Sequence, residues 1–233
     1  MPRLSIDVWS DIACPWCFVG KRRLEAALER FEHAPFVDVR WRAFELDPSA
    51  PRSRPVETDY VERLARKYRV APAQAEAMIQ NMVDTAAADG IEMRFDHIRP
   101  GNTFDAHRLL HLAAERGRQD ALKERFLRAY LTEGEPIGEP EALVRLAGEV
   151  GIEVDEARGV LDTDLYAHEV RMDEAEAAAL GIHGVPFFVL GERFGVSGAQ
   201  SPETMLRVLD KAWAELPALE VFEDGAVCGP DGC

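Results

Sequence analysis

What the chain lacks narrows it first. Only four of its 233 residues are cysteine, and none falls between Cys17 and Cys228, which excludes the evenly stapled scaffold of a small secreted protein. No apolar stretch approaches the roughly 20 residues that a membrane-spanning helix needs. Cations are in short supply: 27 Lys and Arg stand against 42 Asp and Glu, a formal charge of −15. A surface of that sign repels phosphate backbones and anionic lipid heads, so neither nucleic acid nor a membrane is expected as a partner. The opening Met1-Pro2-Arg3-Leu4-Ser5-Ile6-Asp7 lacks the apolar core of a secretory signal, and a cytoplasmic location is expected. In a reducing cytosol, surviving disulfides are usually catalytic or sensing.

What is present starts with Cys14-Pro15-Trp16-Cys17. It follows a short apolar run, Leu4-Ser5-Ile6-Asp7-Val8-Trp9, and precedes a helical pattern beginning at Phe18. A CxxC between a first strand and a first helix puts the leading thiol at a helix N-terminus. Unpaired N–H groups and the positive end of the dipole there favour a thiolate at Cys14. A thiolate three residues from a second thiol can attack a disulfide and then be released by its neighbour. Pro15 suits the first helical position. Trp16 offers an apolar surface for unfolded chains, or else shields Cys17. A zinc half-site needs two further ligands at similar spacing, and no nearby histidines follow, so no metal and no cofactor are expected.

Residues 3–9 read as a buried strand, 15–33 as a helix and 36–44 as an alternating second strand. Prolines 48, 51 and 55 mark a loop. From about 58 to 180 the pattern is helical: 58–70, 72–89, 102–116, 119–132, 139–150, 154–161 and 164–180. A strand begins at Val185-Pro186, with a hairpin partner over 192–196. Ser201 as cap and Pro202 as first residue open a last helix to about 216. The order β-α-β, helical block, β-β-α predicts an α/β thioredoxin-like fold with a large all-helical insertion. The expected division is 1–57 with 181–216, an inserted domain over 58–180, and a flexible tail over 217–233.

Three features together carry a resemblance: Cys14-Pro15-Trp16-Cys17 after a strand, the inserted helices, and Gly184-Val185-Pro186-Phe187-Phe188-Val189 followed by Val196-Ser197-Gly198-Ala199-Gln200. Over nearly its whole length the chain resembles the DsbA-like thioredoxin superfamily, and within it the cytoplasmic FrnE-type branch. Asn102-Thr103-Phe104-Asp105-Ala106-His107-Arg108-Leu109 is similar to a run of that branch. The resemblance implies a thiol–disulfide oxidoreductase or disulfide isomerase, with Cys14 as nucleophile and Cys17 as resolving thiol. It further implies that Pro186 is a cis-proline facing Cys14, leaving the Val185 backbone free to pair with an extended substrate. The residues alone are equally compatible with a trans-proline opening an edge strand. The implied partners are protein thiols and disulfides or small thiols such as glutathione.

Cys228 and Cys233 flank Gly229-Pro230-Asp231-Gly232, a type I turn sequence that brings them within reach of a disulfide. They are reminiscent of an extra C-terminal cysteine motif in FrnE-like proteins. Exchange with Cys14 and Cys17 is one expectation; an exposed tail disulfide without a role, and zinc shared by four thiolates, are two others. His107, His183 and Asp11 are candidates for tuning the thiols, with Asp11 or Asp7 as proton acceptor. His107 and His111 share a helix face, read as structural. Lys21, Arg22 and Arg23 read as a solvated helix face. Two other functions compete: a glutathione-dependent isomerase or transferase of the 2-hydroxychromene-2-carboxylate isomerase or kappa type, and a peptide-binding holdase. The first type carries a Ser in place of the leading Cys, against which Cys14 argues.

Overall fold

The computed structural model describes residues 3–52 and 60–216. Cys228 and Cys233 lie outside them. The chain forms a strand β1 (Leu4–Ser10), a helix α1 (Pro15–Leu28) and a strand β2 (Val37–Ala43). Seven helices follow: α2 (Tyr60–Tyr68), α3 (Pro72–Ala88), α4 (Phe104–Glu115), α5 (Gln119–Arg128), α6 (Pro140–Glu149), α7 (Val154–Leu161) and α8 (Ala167–Ala179). The hairpin β3 (Phe187–Leu190) and β4 (Phe194–Ser197) and a last helix α9 (Pro202–Ala214) complete the fold. This is a thioredoxin-like fold with a helical insertion between β2 and β3.

The sheet runs β2-β1-β3-β4. β1 pairs in parallel with β2 and antiparallel with β3, with Trp9 opposite Phe187. Carrying that second register on one residue pair sets Pro186 opposite Ser10, at the end of β1 where α1 begins. Leu4, Ile6 and Val8 alternate onto one face and pack with Leu24 and Ala27 of α1 and Met205, Leu209 and Ala212 of α9. Trp9 faces the other way, against Ala177 and Ile182. A third cluster fills the helical block, and Ile12, Phe18 and Val19 enter it from the start of α1.

α5 is fastened across β2 by imitation of a strand. The Gln119 side chain accepts from Trp41 N–H at 2.9 Å and donates to Trp41 C=O at 2.9 Å, and Trp41 Nε1 donates to Asp120 at 2.9 Å. The backbone of Trp41 on this edge strand is thereby paired, and α5 is held against the sheet.

Three elements are shorter than the sequence pattern predicts. The first helix stops at Leu28, because Phe31 turns back into the sheet core and a short 3₁₀ turn, Ala34–Phe36, leads to β2. The helix expected from 164 starts at Ala167. The Arg108 guanidinium draws off the carbonyls of Val160, Thr163 and Leu165, and Tyr166 takes a left-handed φ of 61°. The helix expected over 119–132 changes to a π-helical turn over Ala129–Glu133, closed by Gly134 at φ 72°.

Candidate active site

Cys14 is the cap residue of α1, with extended backbone (φ −99°, ψ 110°), and Pro15 is the first helical residue. Its N–H donates to Asp11 C=O at 3.3 Å, and its own C=O accepts from Cys17 N–H at 3.1 Å. Both cysteines are free thiols. They differ in access. Cys14 borders a cleft of about 830 Å³ that Cys17, fully buried, does not reach. Trp16, 40% exposed, forms part of the cleft rim, with Leu46, Tyr60, Tyr130 and Val185 further round.

The Val185–Pro186 peptide is cis, as the family resemblance implies. Cys14 Sγ lies 3.5 Å from Val185 C=O. The Val185 N–H has no partner among the described residues, so one backbone donor and one acceptor line the cleft beside the outer sulfur. Gly20 of α1 lets this loop come close, since a Cβ there would stand 2.9 Å from Pro186 Cγ.

The surroundings push the two thiols in opposite directions. Burial pushes the Cys17 thiol up, but the Cys14 S–H, the Lys123 ammonium, the Ser10 hydroxyl and the Asp11 N–H together bring it below its ordinary value. The hydrogen bond that Cys14 gives to Cys17 pushes the Cys14 thiol well up, and burial and the neighbouring charge add to this. The helix terminus favours a thiolate at Cys14, and these buried neighbours act on the inner sulfur, Cys17, beside it.

Asp11 and His107 meet beneath the pair, both 1% exposed, with His107 Nε2 3.5 Å from Asp11 Oδ1. Burial raises the Asp11 carboxyl, but His107, the Leu46 N–H at 2.8 Å and Lys123 outweigh it and hold the acid below the usual carboxylate range. Asp7 is committed to Arg42 Nε at 2.7 Å. His111 binds Asp173 at 3.0 Å, apart from His107 and its partner. His183 is exposed and does not border the cleft, so the structure does not bring it to the thiols.

The basic run of α1 is no solvated face. Lys21 is buried against Glu25, Asp120 (3.1 Å) and Glu124 (3.5 Å), Arg22 pairs with Glu25 and Glu124, and Arg23 binds Asp89 at 2.9 Å. α5 and the end of α3 supply most of these acids, and the pattern of α1 alone cannot show them. Sequence reasoning also missed Lys123, fully buried on α5. A signal existed: Leu122, Phe126, Leu127 and Tyr130 trace an apolar stripe, and Lys123 stands inside it, four residues before Leu127. Tyr130 was likewise missed. The π-helical turn carries it to the cleft, where burial pushes its hydroxyl up to about 12.

The pattern of the DSBA-like thioredoxin domain matches residues 5–210. An uncharacterized protein, YwbO of Bacillus subtilis (strain 168), is 30% identical over 192 residues, 81% of this chain and 88% of that protein. The crystal structure of a probable DsbA oxidoreductase, SCO1869 from Streptomyces coelicolor, superposes with a TM-score of 0.88 at 46% identity, covering 99% of this chain and 98% of that one. The cytosolic disulfide reductase DsbM from Pseudomonas aeruginosa, solved with GSH, shares the fold at a TM-score of 0.63 and 19% identity, over 90% of this chain and 99% of its own.

Proposed function

The chain belongs to the DSBA-like thioredoxin domain family, and from that premise we propose that it is a thiol–disulfide oxidoreductase in which Cys14 attacks and Cys17 resolves. The observation that carries this reading is access: of the two thiols, only Cys14 borders the cleft. Cys14 meets the substrate disulfide as the thiolate that the N-terminus of α1 favours. Cys14 Sγ then forms a bond to one substrate sulfur, and the other leaves as a thiolate. Cys17, once its proton is lost to that thiolate, attacks Cys14 Sγ; the protein disulfide forms and the second substrate sulfur departs. The sequence reverses when the protein begins as the disulfide.

The free Val185 N–H and its C=O suit an extended peptide laid across the cleft, in the manner of an added strand. A cleft of about 830 Å³ also holds a ligand of tripeptide size, which supports glutathione-like thiols as alternative partners. DsbM, of the same fold, was solved with GSH. We read the protein as a cytoplasmic member of the FrnE type, acting as reductase or isomerase.

Dithiothreitol-driven reduction of insulin disulfides tests the reading, with the parent and Cys14→Ser side by side. The expected result is activity in the parent and background turbidity in the variant. Equal activity in both would remove Cys14 from the reaction. No activity in either would favour the glutathione-dependent isomerase or the holdase.

A further inference from the structure

The cleft has a wall that the exchange step leaves unused. α2 turns Tyr60, Arg63, Leu64 and Lys67 toward it, positions i, i+3, i+4 and i+7 of one helix face, and Arg66 joins them. Tyr60 anchors that face: its ring centroid lies 4.9 Å from that of Phe95, and the Arg63 guanidinium carbon stands 4.5 Å from the Tyr60 centroid. Cys14, Trp16 and Val185 border the same cleft. A chain bound at Cys14 therefore shares one cleft with the cations of α2.

Cations elsewhere in the fold close on acids: Arg23 on Asp89, Arg42 on Asp7 and Asp173, Arg125 on Glu133 and Glu149. Arg63, Arg66 and Lys67 have no carboxylate within 4.0 Å among the described residues, although 42 acids stand against 27 cations in the chain. Two acids do border the cleft, and both are engaged. Asp11 accepts from Leu46 N–H at 2.8 Å and Ala13 N–H at 3.3 Å, and Asp47 accepts from the Ser49 hydroxyl at 2.7 Å. The remaining border is apolar and open to water: Trp16, Leu46, Tyr68 and Met78 are all exposed. A small acidic thiol leaves those four side chains wet, whereas a polypeptide covers them.

We propose that the cationic face of α2 sets substrate choice: the disulfides that reach Cys14 belong to extended polypeptide segments with an acidic residue close to the reacting cysteine and apolar residues around it. The inference rests on the oxidoreductase reading above. Arg63, half-buried and held against Tyr60, is the fixed carboxylate site, and its planar fork suits two carboxylate oxygens. Arg66 and Lys67, both exposed, add charge that helps select the partner. Backbone pairing at Val185 sets the reacting cysteine in place, and the cations then read what flanks it. Net charge alone argues for the opposite preference, since a chain of charge −15 draws basic peptides from a distance. A preference for acid is therefore the mark of a local site.

The test uses the full chain with Cys14 as its only cysteine (Cys17→Ser, Cys228→Ser, Cys233→Ser). The probes are disulfide-linked dimers of the peptide Leu-X-Cys-X-Leu, with X as Glu, Gln or Lys. Cys14 Sγ bonds to one peptide sulfur, the other peptide leaves as its thiolate, and mass spectrometry follows the adduct. Dividing each rate by that of dithiothreitol with the same dimer removes intrinsic reactivity. The Glu dimer is expected to outpace the Lys dimer by about fivefold or more at low salt, with the gap closing as salt rises to roughly 0.5 M. Arg66→Gln with Lys67→Gln should narrow the gap, and adding Arg63→Gln should remove it. A Lys dimer as fast as the Glu dimer in the parent, or a gap indifferent to salt and to the exposed pair, would overturn the proposal whether or not the Arg63 variant folds. Oxidised glutathione has carboxylates without the apolar residues; if it reacts as fast as the Glu dimer, the site belongs to a small acidic thiol and the polypeptide assignment falls. No adduct on Cys14 with any probe sinks the oxidoreductase reading as well; adducts formed at charge-blind rates sink the inference alone.

Discussion

Lys21 and Lys123 approach the same indole, 5.8 and 5.7 Å from the centroid of Trp41, and both side chains are buried. They end in opposite states. Lys21, on α1, is ringed by Glu25, Asp120 and Glu124, and their charges outweigh burial and raise its ammonium above the ordinary value. Lys123, on α5, has one direct partner, the Ser10 carbonyl, with Asp11 and the thiols acting only through space, and burial wins. The two sides of one tryptophan therefore do different work. On the outer side, charges from α1 and α5 cancel and tie the helical block to the first helix. On the thiol side, the ammonium has no carboxylate within ion-pair distance among the described residues and rests on the Ser10 carbonyl. What separates structure from chemistry here is the number of carboxylates within reach, since both lysines are equally out of water.

The sharpest way to break the comparison is pH. Lys123 binds its proton less tightly folded than unfolded, so between about pH 8 and 10.5 the unfolded chain holds the extra proton and stability rises with pH. The rise amounts to about 3 kcal/mol over that window. Lys21 has the opposite sign: its contribution is complete below the unfolded value of 10.5 and is lost as pH climbs through the raised folded value. Urea denaturation of the parent and Lys123→Met across this range should show the rise in the parent only. Parallel curves would mean that Lys123 has an ordinary pKa.

At neutral pH, Lys21→Met leaves three carboxylates facing one another. Asp120 and Glu25 are partly solvated, which discounts the loss to about 2 kcal/mol. Lys123→Met removes only a through-space partner of Asp11, whose oxygens keep the Leu46 and Ala13 N–H groups, and is expected to cost less than Lys21→Met. A loss at Lys123 equal to that at Lys21 would erase the distinction. Gly20→Ala presses a methyl toward Pro186 Cγ and Phe188 Cζ. It should cost about 1–2 kcal/mol and slow exchange, because the contacts belong to the Pro186 loop beside Cys14 and to the strand that follows it. Arg22→Ala, on the solvated edge of the outer cluster, is expected to lower stability by less than about 1 kcal/mol and leave exchange rates unchanged.

The same contrast explains what was legible in the sequence. Strand order and the inserted helices follow from period and punctuation: the 4-6-8 alternation of β1, the proline starts of α1, α3, α6 and α9, and the Ser201 cap, which accepts from Thr204 N–H at 3.2 Å. Cys14 and Cys17 were readable because their spacing carries their chemistry, whereas the cis form of Pro186 followed from the family resemblance and not from the residues alone. The electrostatics were not, since they depend on α5 crossing β2, some eighty residues away in the chain. Lys21 looked solvated because two of its three acids lie on another helix, and Leu46 and His107, which flank Asp11, come from distant parts of the chain. The start of α8 was misread because Arg108, an ordinary helical arginine in sequence, removes the carbonyls that an earlier turn would have used.

The account turns on Cys14 being the sulfur that meets substrate, and a trapped intermediate tests it most directly. With Cys17→Ser, reaction with oxidised glutathione should stop at a single mixed disulfide, located by peptide mass spectrometry on Cys14. Adducts confined to Cys228 or Cys233, with Cys14 unmodified, would contradict it.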